Sequence, residues 1–337
     1  MKSVHYKSVF SKFILFFIFF IYITILMVLP DYWFNDRYFY YIYAEGSSDY
    51  LSSDRDYKFY VNEPLFHYFS YFFNRIPDYF SKVMSVFVAS VFFWILYLKS
   101  SNKLSFLFGF ILLIFSPYIA YAQLMTLRQG VATAFFVLIF YFVKNRKYSA
   151  LLCCLLPFFH VVYFLITPVY LSYIYFFYNK SKRFIVIAYS IFFIIVSLFS
   201  LLFAQMIGFR QAEQYSDYSV SLGGGTFLLF LLLLIYFYFL LDRKKRDKKE
   251  YDWALISLIV YVSSYFFFPS IHRLFLSFYP FILFYLVSIN NYRGVVPLLI
   301  LCLVFIYLWF YSTVFIFLAV SLNTVYEDVP KLINNIL

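Results

Sequence analysis

From Leu104 to Val143 the chain runs for 40 residues with a single charge, Arg128. As one continuous helix this stretch would be about 60 Å long, twice a hydrocarbon layer of roughly 30 Å. It is too long for a single span. An arginine at the centre of a spanning helix costs about 2.5–3.5 kcal/mol on insertion scales, so the cheaper fold puts a membrane boundary at Arg128 with a span on either side. Thr126, Leu127, Arg128 and Gln129 read as a capping box, with Thr126 as N-cap and Gln129 reaching back, which starts a helix here. A cation in a first helical turn opposes the helix dipole. Arg128 therefore makes most sense with an anion held between its guanidinium and the free N–H groups.

Apolar runs of comparable length recur along the whole chain. With 64% hydrophobic and 13% charged residues, this composition specifies an all-α, polytopic integral membrane protein. The spans form one transmembrane domain over residues 1–337, with outer loops at 31–80 and 207–224 and a cytoplasmic loop at 242–250. Glycine is scarce, at 8 residues, which argues against helices packed on small-residue faces. The abundance of Phe (51) and Tyr (37) reads partly as an AT-rich coding bias. Cys153, Cys154 and Cys302 lie in apolar segments without metal-ligand spacing, so they read as core thiols.

Lys2, Lys7 and Lys12 precede or open the first span, Val9 to Leu29, and put the N-terminus in the cytoplasm. After the acidic, tyrosine-rich loop, Glu63 to Asp78 has Pro64 at a helix start. A stripe of Glu63, His67, Ser70, Asn74 and Asp78 suits it to the outer interface. Spans follow at 81–98, 104–122 and 130–143. Tyr148 to Tyr178 is too long for one crossing and short for two, so it reads as a hairpin broken around His160, with Pro157 and Pro168 flanking the turn. Further spans at 184–206, 225–241, 251–268, 274–289 and 295–320 bring the total to about eleven membrane segments, with the C-terminus outside.

This layout puts 18 of the 27 Lys and Arg in the cytoplasm, as the positive-inside rule requires. The nine outside are mostly arginine: Arg37, Arg55, Arg75, Arg128, Arg210 and Arg273, against three lysines. Orientation needs only charge. The preference for a planar fork that grips phosphate or carboxylate bidentately points to an outer-face anion site. Arg128 and Arg273 hold matching positions, each early in an inward-running helix with Thr126 or Ser270 as N-cap, and together suit a diphosphate. The competing role for such arginines is to snorkel at the interface or to pair with loop acids.

His160 can act as a base or as a donor to a sugar hydroxyl, or it can be a capping histidine satisfied by backbone. His272 and His67 carry the same two roles. Asp49, Asp54, Asp56 and Glu63 accompany tyrosines in the outer loop, as carbohydrate binding would want, although a solvated loop carries acids too. No residue spacing indicates a metal or a cofactor, and Gly223, Gly224 and Gly225 lack the Lys-Ser/Thr of a phosphate loop. The net charge of +11 is explained by orientation and does not call for nucleic acid.

Leu127, Arg128, Gln129, Gly130, Val131 and Ala132 at a span start, then a lysine-rich turn and Phe158, Phe159 and His160, resemble the EpsG and Wzy-like family of bacterial polysaccharide polymerases. Glu63-Pro-Leu-Phe66 after a tyrosine- and aspartate-rich loop, and the late Arg273, look like that family too. The resemblance implies a glycosyltransferase of the GT-C class in the inner membrane, acting at the periplasmic face. Its substrate would be an undecaprenyl-diphosphate-linked oligosaccharide, with the growing O-antigen, capsule or exopolysaccharide chain passed to the next lipid-linked unit. A chain-length regulator is a further partner. On this reading Arg128, Gln129 and Arg273 bind substrate, Arg210, His272 and Asp49 assist, and His160 or Glu63 is the base. The rival functions are a lipid-linked oligosaccharide flippase, which would want charges within spans and internal repeats, and an O-antigen ligase.

Overall fold

Helix ends decide how this chain is laid out, because peptide groups in an apolar layer must find partners within the protein. The structure, a computed structural model, describes residues 9–52, 62–207, 224–241, 248–266 and 271–313, together with 324, 327, 328 and 330. Within them all regular structure is helical. The first long helix is α1 (Val9–Val28). Three short helices follow, α2 (Arg37–Glu45), α3 (Ser47–Ser52) and α4 (Pro64–Tyr71), before α5 (Phe80–Lys99). The middle of the chain forms α6 (Lys103–Phe115), α7 (Pro117–Leu124), α8 (Leu127–Phe142), α9 (Arg146–Cys153) and α10 (Tyr163–Ser172). The last part forms α11 (Lys182–Ile207), α12 (Gly225–Leu240), α13 (Lys248–Ser264), α14 (Ile271–Leu276), α15 (Tyr279–Ser288) and α16 (Tyr292–Leu308).

Each of the stretches read from the sequence contains helix in its described part. Among the described residues four stretches, Pro77–Lys99, Lys182–Phe199, Ile271–Ser288 and Tyr292–Tyr311, are long and apolar enough to cross a membrane, and α6 with α7 makes a fifth if the bent pair counts as one. That pair corrects the straight span expected over 104–122. Pro117 starts α7 at an angle of 59° to α6, as a proline at a first helical position allows. The expected break falls at 154–162, with the Thr167 hydroxyl bonded back to the Cys153 carbonyl at 3.0 Å across it, but Pro168 lies inside α10 and does not flank the turn. Of the loop 242–250 only 248–250 is described, and of the loop 207–224 only its two end residues.

The centre of the molecule is α13, which packs against α11, α12 and α15. Its Trp253 is fully buried among Phe136, Tyr170 and Phe281, with ring centroids at 5.5, 5.4 and 6.0 Å. The tilted and edge-on ring pairs of this core are what the aromatic bias does, so it is more than a coding bias. Among the described residues three glycines, Gly109, Gly130 and Gly294, nevertheless sit at close approaches. A Cβ on Gly130 would collide with the Ala122 carbonyl, which is backbone, where α7 hands over to α8. A Cβ on Gly109 would meet side-chain atoms of Leu96 and Val287.

At one end of the bundle, Arg37 is fully buried. Its Nε donates to the Leu124 carbonyl at 3.1 Å and its Nη1 to the Leu29 carbonyl at 3.5 Å, closing the C-terminal ends of α7 and α1. The fork also pairs with Asp31 at 3.0 Å and donates to the Ser85 hydroxyl. This corrects one member of the outer arginine set. Arg37 serves two helix ends, and a lysine could not, because the job needs several donors in fixed directions.

Replacing Arg37 by Ala leaves two helix-end carbonyls without their donor and Asp31 with only the Ser81 hydroxyl, and a loss of about 2–4 kcal/mol is expected, with Arg37→Lys recovering little of it. Thermal unfolding in detergent measures this. In the same assay Gly130→Ala should lose about 1–3 kcal/mol and Gly109→Ala less, since only the latter meets movable side-chain ends.

Candidate functional site

Glu63 stands in front of Pro64, which starts α4. A residue before proline is pushed out of the right-handed helical region, and Glu63 takes φ 64° and ψ 47°, the left-handed conformation, alone among the described non-glycine residues. That conformation costs about 1–2 kcal/mol for an L residue with a Cβ and persists only where its surroundings fix it. They do so through its buried carboxylate. One oxygen, Oε2, takes the Arg128 Nη1 in an ion pair. The other, Oε1, accepts the Val161 N–H at 3.2 Å and lies 3.7 Å from His160 Nε2.

Arg128 is in the first turn of α8. Its guanidinium lies over the rings of Tyr43 and Phe66, at 5.0 and 5.5 Å from their centroids, and its own N–H donates to the Tyr40 hydroxyl at 3.4 Å. Its side chain is 17% exposed against 5% for Glu63, so the arginine is the member of the pair that meets the surroundings. The sequence pattern missed Tyr40 and Tyr43, although their spacing of three residues puts both on one face of α2. It also missed Phe66, three residues after Glu63.

The expected capping box does not form. The Thr126 side chain makes no cap bond and donates to the Tyr121 carbonyl at 3.2 Å, at the end of α7. Gln129 is buried, and its amide donates to the Arg273 carbonyl and to the Ser277 hydroxyl at 3.0 Å, with no reach back to the helix start. Thr133 continues this seam, within 2.9 Å of the Ser277 hydroxyl and accepting from the Tyr163 hydroxyl at 3.0 Å. Gln129 therefore bolts α8 to α14 and to the turn that follows it, and sets where the Arg273 backbone sits. Tertiary partners won over the local motif, because a buried amide must be satisfied and these acceptors are within reach.

His160 is buried in the break between Leu156–Phe158 and α10. The Val162 N–H donates to its Nδ1 at 3.3 Å, so the neutral ring carries its proton on Nε2, the nitrogen that faces Glu63. Burial first, and then the charges of Arg128 and Arg273, push its pKa down to about 4 against the opposing pull of Glu63. For Glu63, burial raises the pKa, and the Arg128 charge, the His160 ring and the Val161 N–H outweigh it and hold the carboxyl below the usual carboxylate range. Near neutral pH the cluster is an arginine cation, a carboxylate and a neutral histidine.

Arg273 is exposed on α14, and its charge reaches His160. The structure thus brings Glu63, Arg128, Gln129, His160 and Arg273 to one end of the bundle. His272, beside Arg273, is exposed with its Nδ1 3.5 Å from the Tyr261 hydroxyl. Asp49 is exposed on α3, one residue from Tyr50, whose ring stacks on His67 at 3.7 Å. Arg55, Arg210, Ser270, Asp54 and Asp56 lie outside the described residues. Among the described residues no three His, Cys, Asp or Glu are grouped as a metal ion would need.

A family model described as the EpsG family matches residues 9–327 of the chain. No curated protein and no solved structure matches it.

The histidine has a measurable signature. Folded His160 takes its proton near pH 4 and the unfolded residue near 6.5, so between these values the unfolded chain binds more protons and stability falls as pH is lowered from 6.5 towards 4. Glu63 adds its own loss only below the usual carboxylate range. Thermal unfolding from pH 7 to 4.5 should show a steeper loss for wild type than for His160→Gln, and parallel curves would refute this account of the ring.

Proposed function

The chain belongs to the EpsG family, and on that premise we propose that it is a membrane polysaccharide polymerase which transfers a growing glycan from a lipid diphosphate to the next lipid-linked repeat unit. The observation that carries the proposal is the convergence of Arg128, Glu63 and His160 at the start of α8, with Arg273 tied to the same place through Gln129. In this reading the cluster faces the periplasm, the lysine-rich ends of the helices face the cytoplasm, and the lipid carrier is undecaprenyl diphosphate.

Glycosyl transfer from a lipid diphosphate needs two things from the protein. The departing diphosphate gains negative charge, which fixed cations can stabilise in a site of low dielectric. The acceptor hydroxyl must lose a proton to a base within hydrogen-bond reach. Arg128 and Arg273 supply the first, with two guanidinium forks on adjacent helices that can each grip phosphate oxygens. Glu63 or His160 supplies the second. Tyr43 and Phe66 set aromatic faces against the Arg128 cation, the stacked Tyr50 and His67 lie beyond Tyr43, these being faces of the kind on which sugar rings lie, and His272 and Asp49 are proposed as further polar contacts.

Complementation of a deletion strain, scored by polymer ladders, tests the proposal. Arg128→Ala should lower polymer formation by about 10²–10³-fold, the loss typical of removing one donor that stabilises a developing anion. Arg273→Ala should also lower it. Normal ladders from both variants at wild-type protein levels would overturn the assignment.

A further inference from the structure

We propose that Arg128 serves two anions in turn, Glu63 while the site is empty and the lipid diphosphate during turnover, and that this exchange is what turns Glu63 into the base. The inference rests on the polymerase reading above and deepens it by dividing the work among three residues.

The two partners of the ion pair are held very differently. Glu63 is anchored by its left-handed backbone, by Pro64 behind it and by the Val161 N–H on Oε1, so its carboxylate cannot follow a departing partner. Arg128 reaches it along a flexible stem, through a guanidinium that lies over two ring faces and beside the Tyr40 hydroxyl. A ring face steers a cation only weakly in direction, so the guanidinium can move across Tyr43 and Phe66 with only its contact to the Tyr40 hydroxyl to re-form. The arginine is also the more exposed of the two. A diphosphate arriving at the site meets the cation first and offers it more charge than a carboxylate does.

Losing the cation changes Glu63. Burial alone raises the proton affinity of a carboxylate, and the Arg128 charge is the largest influence that opposes it here. A buried carboxylate freed of its arginine is a stronger base at the moment the leaving group is in place. His160 fits a supporting part. Its Nδ1 is taken by the Val162 N–H and its Nε2 proton faces Glu63, which makes it a positioning residue that holds the carboxylate after the arginine has moved.

The transfer then balances. The acceptor hydroxyl gives its proton to Glu63, its oxygen bonds to the anomeric carbon, and the bond from that carbon to the diphosphate oxygen breaks. The diphosphate leaves with that electron pair, and Arg128 holds the added charge. When the diphosphate departs, Arg128 returns to Glu63 and the carboxyl releases its proton to water.

Exchange predicts opposite signs for binding and activity. In full-length protein in lipid nanodiscs, with sugar-free undecaprenyl diphosphate as the probe, Glu63→Gln should tighten binding about tenfold by removing the competing anion, within the usual range of site coupling. The same variant should reduce polymer ladders at least a hundredfold, and Arg128→Ala should lose binding. Unchanged or weaker binding by Glu63→Gln would overturn the proposal. A second measurement needs no Glu63 variant: infrared difference spectra of wild-type protein carrying carbon-13 glutamate should show a carboxylate band shift when the lipid is added, absent in Arg128→Ala, and no shift would overturn it. Inorganic pyrophosphate in a parallel arm separates headgroup from lipid binding: the exchange requires it to raise the same band, and a lipid-only response would count against it. If wild type binds the lipid and shows the exchange but makes no polymer in complementation, the polymerase reading fails while the exchange stands.

Discussion

Carbonyl groups at the ends of helices leave the last turn short of donors, and an apolar surrounding offers no water to supply them. This chain meets that demand with cations. Arg37 closes α1 and α7 at one end of the bundle. At the other end Lys249 donates to the Phe140 carbonyl at 2.6 Å, Lys182 to that of Tyr238, and Arg293 to that of Leu240 at 3.3 Å. In each case the positive charge also matches the negative pole of the helix dipole. The basic residues that read as orientation signals therefore have a second, directed use in closing the helices they flank.

Arg128 is the departure from that pattern. It stands at the start of α8, where the dipole disfavours a cation, and the protein accommodates it by bringing in the Glu63 carboxylate from a loop 65 residues earlier. That arrangement is held on several sides at once. Gly130 lets α8 close on the Ala122 carbonyl, Gln129 fastens the same turn to α14 and the turn after it, and Pro64 with the left-handed Glu63 aims the carboxylate. Strain and a misplaced charge in one spot are what a binding or reacting site shows and what a purely structural joint avoids.

Several features were legible from residue order because they depend on local chemistry. A single charge in a run twice the span length had to mark a boundary, and α8 does begin at Leu127. The break around His160 followed from the length of its segment and from Pro157. Other readings failed where local chemistry was outcompeted. Thr126 and Gln129 have the spacing of a capping box, yet both side chains found partners on other elements. Pro168 looked like a helix breaker and sits inside α10, where surrounding helices can absorb the lost bond. The outer arginines looked like a single anion-binding set until Arg37 proved to be buried against backbone carbonyls.

Residue order alone determined that the chain is a helical membrane protein, that a helix starts beside Arg128, and that Arg128 needs an anion. These follow from the length of apolar runs, the position of prolines and the sign of the helix dipole, all of which act within a few residues. Which anion Arg128 takes in the empty protein, that His160 presents its protonated nitrogen to the same carboxylate, and that Gln129 holds Arg273 in place were decided only by tertiary structure. They join residues 63, 128, 160 and 273, and nothing local to any of those segments specifies which of the other helix ends it will meet.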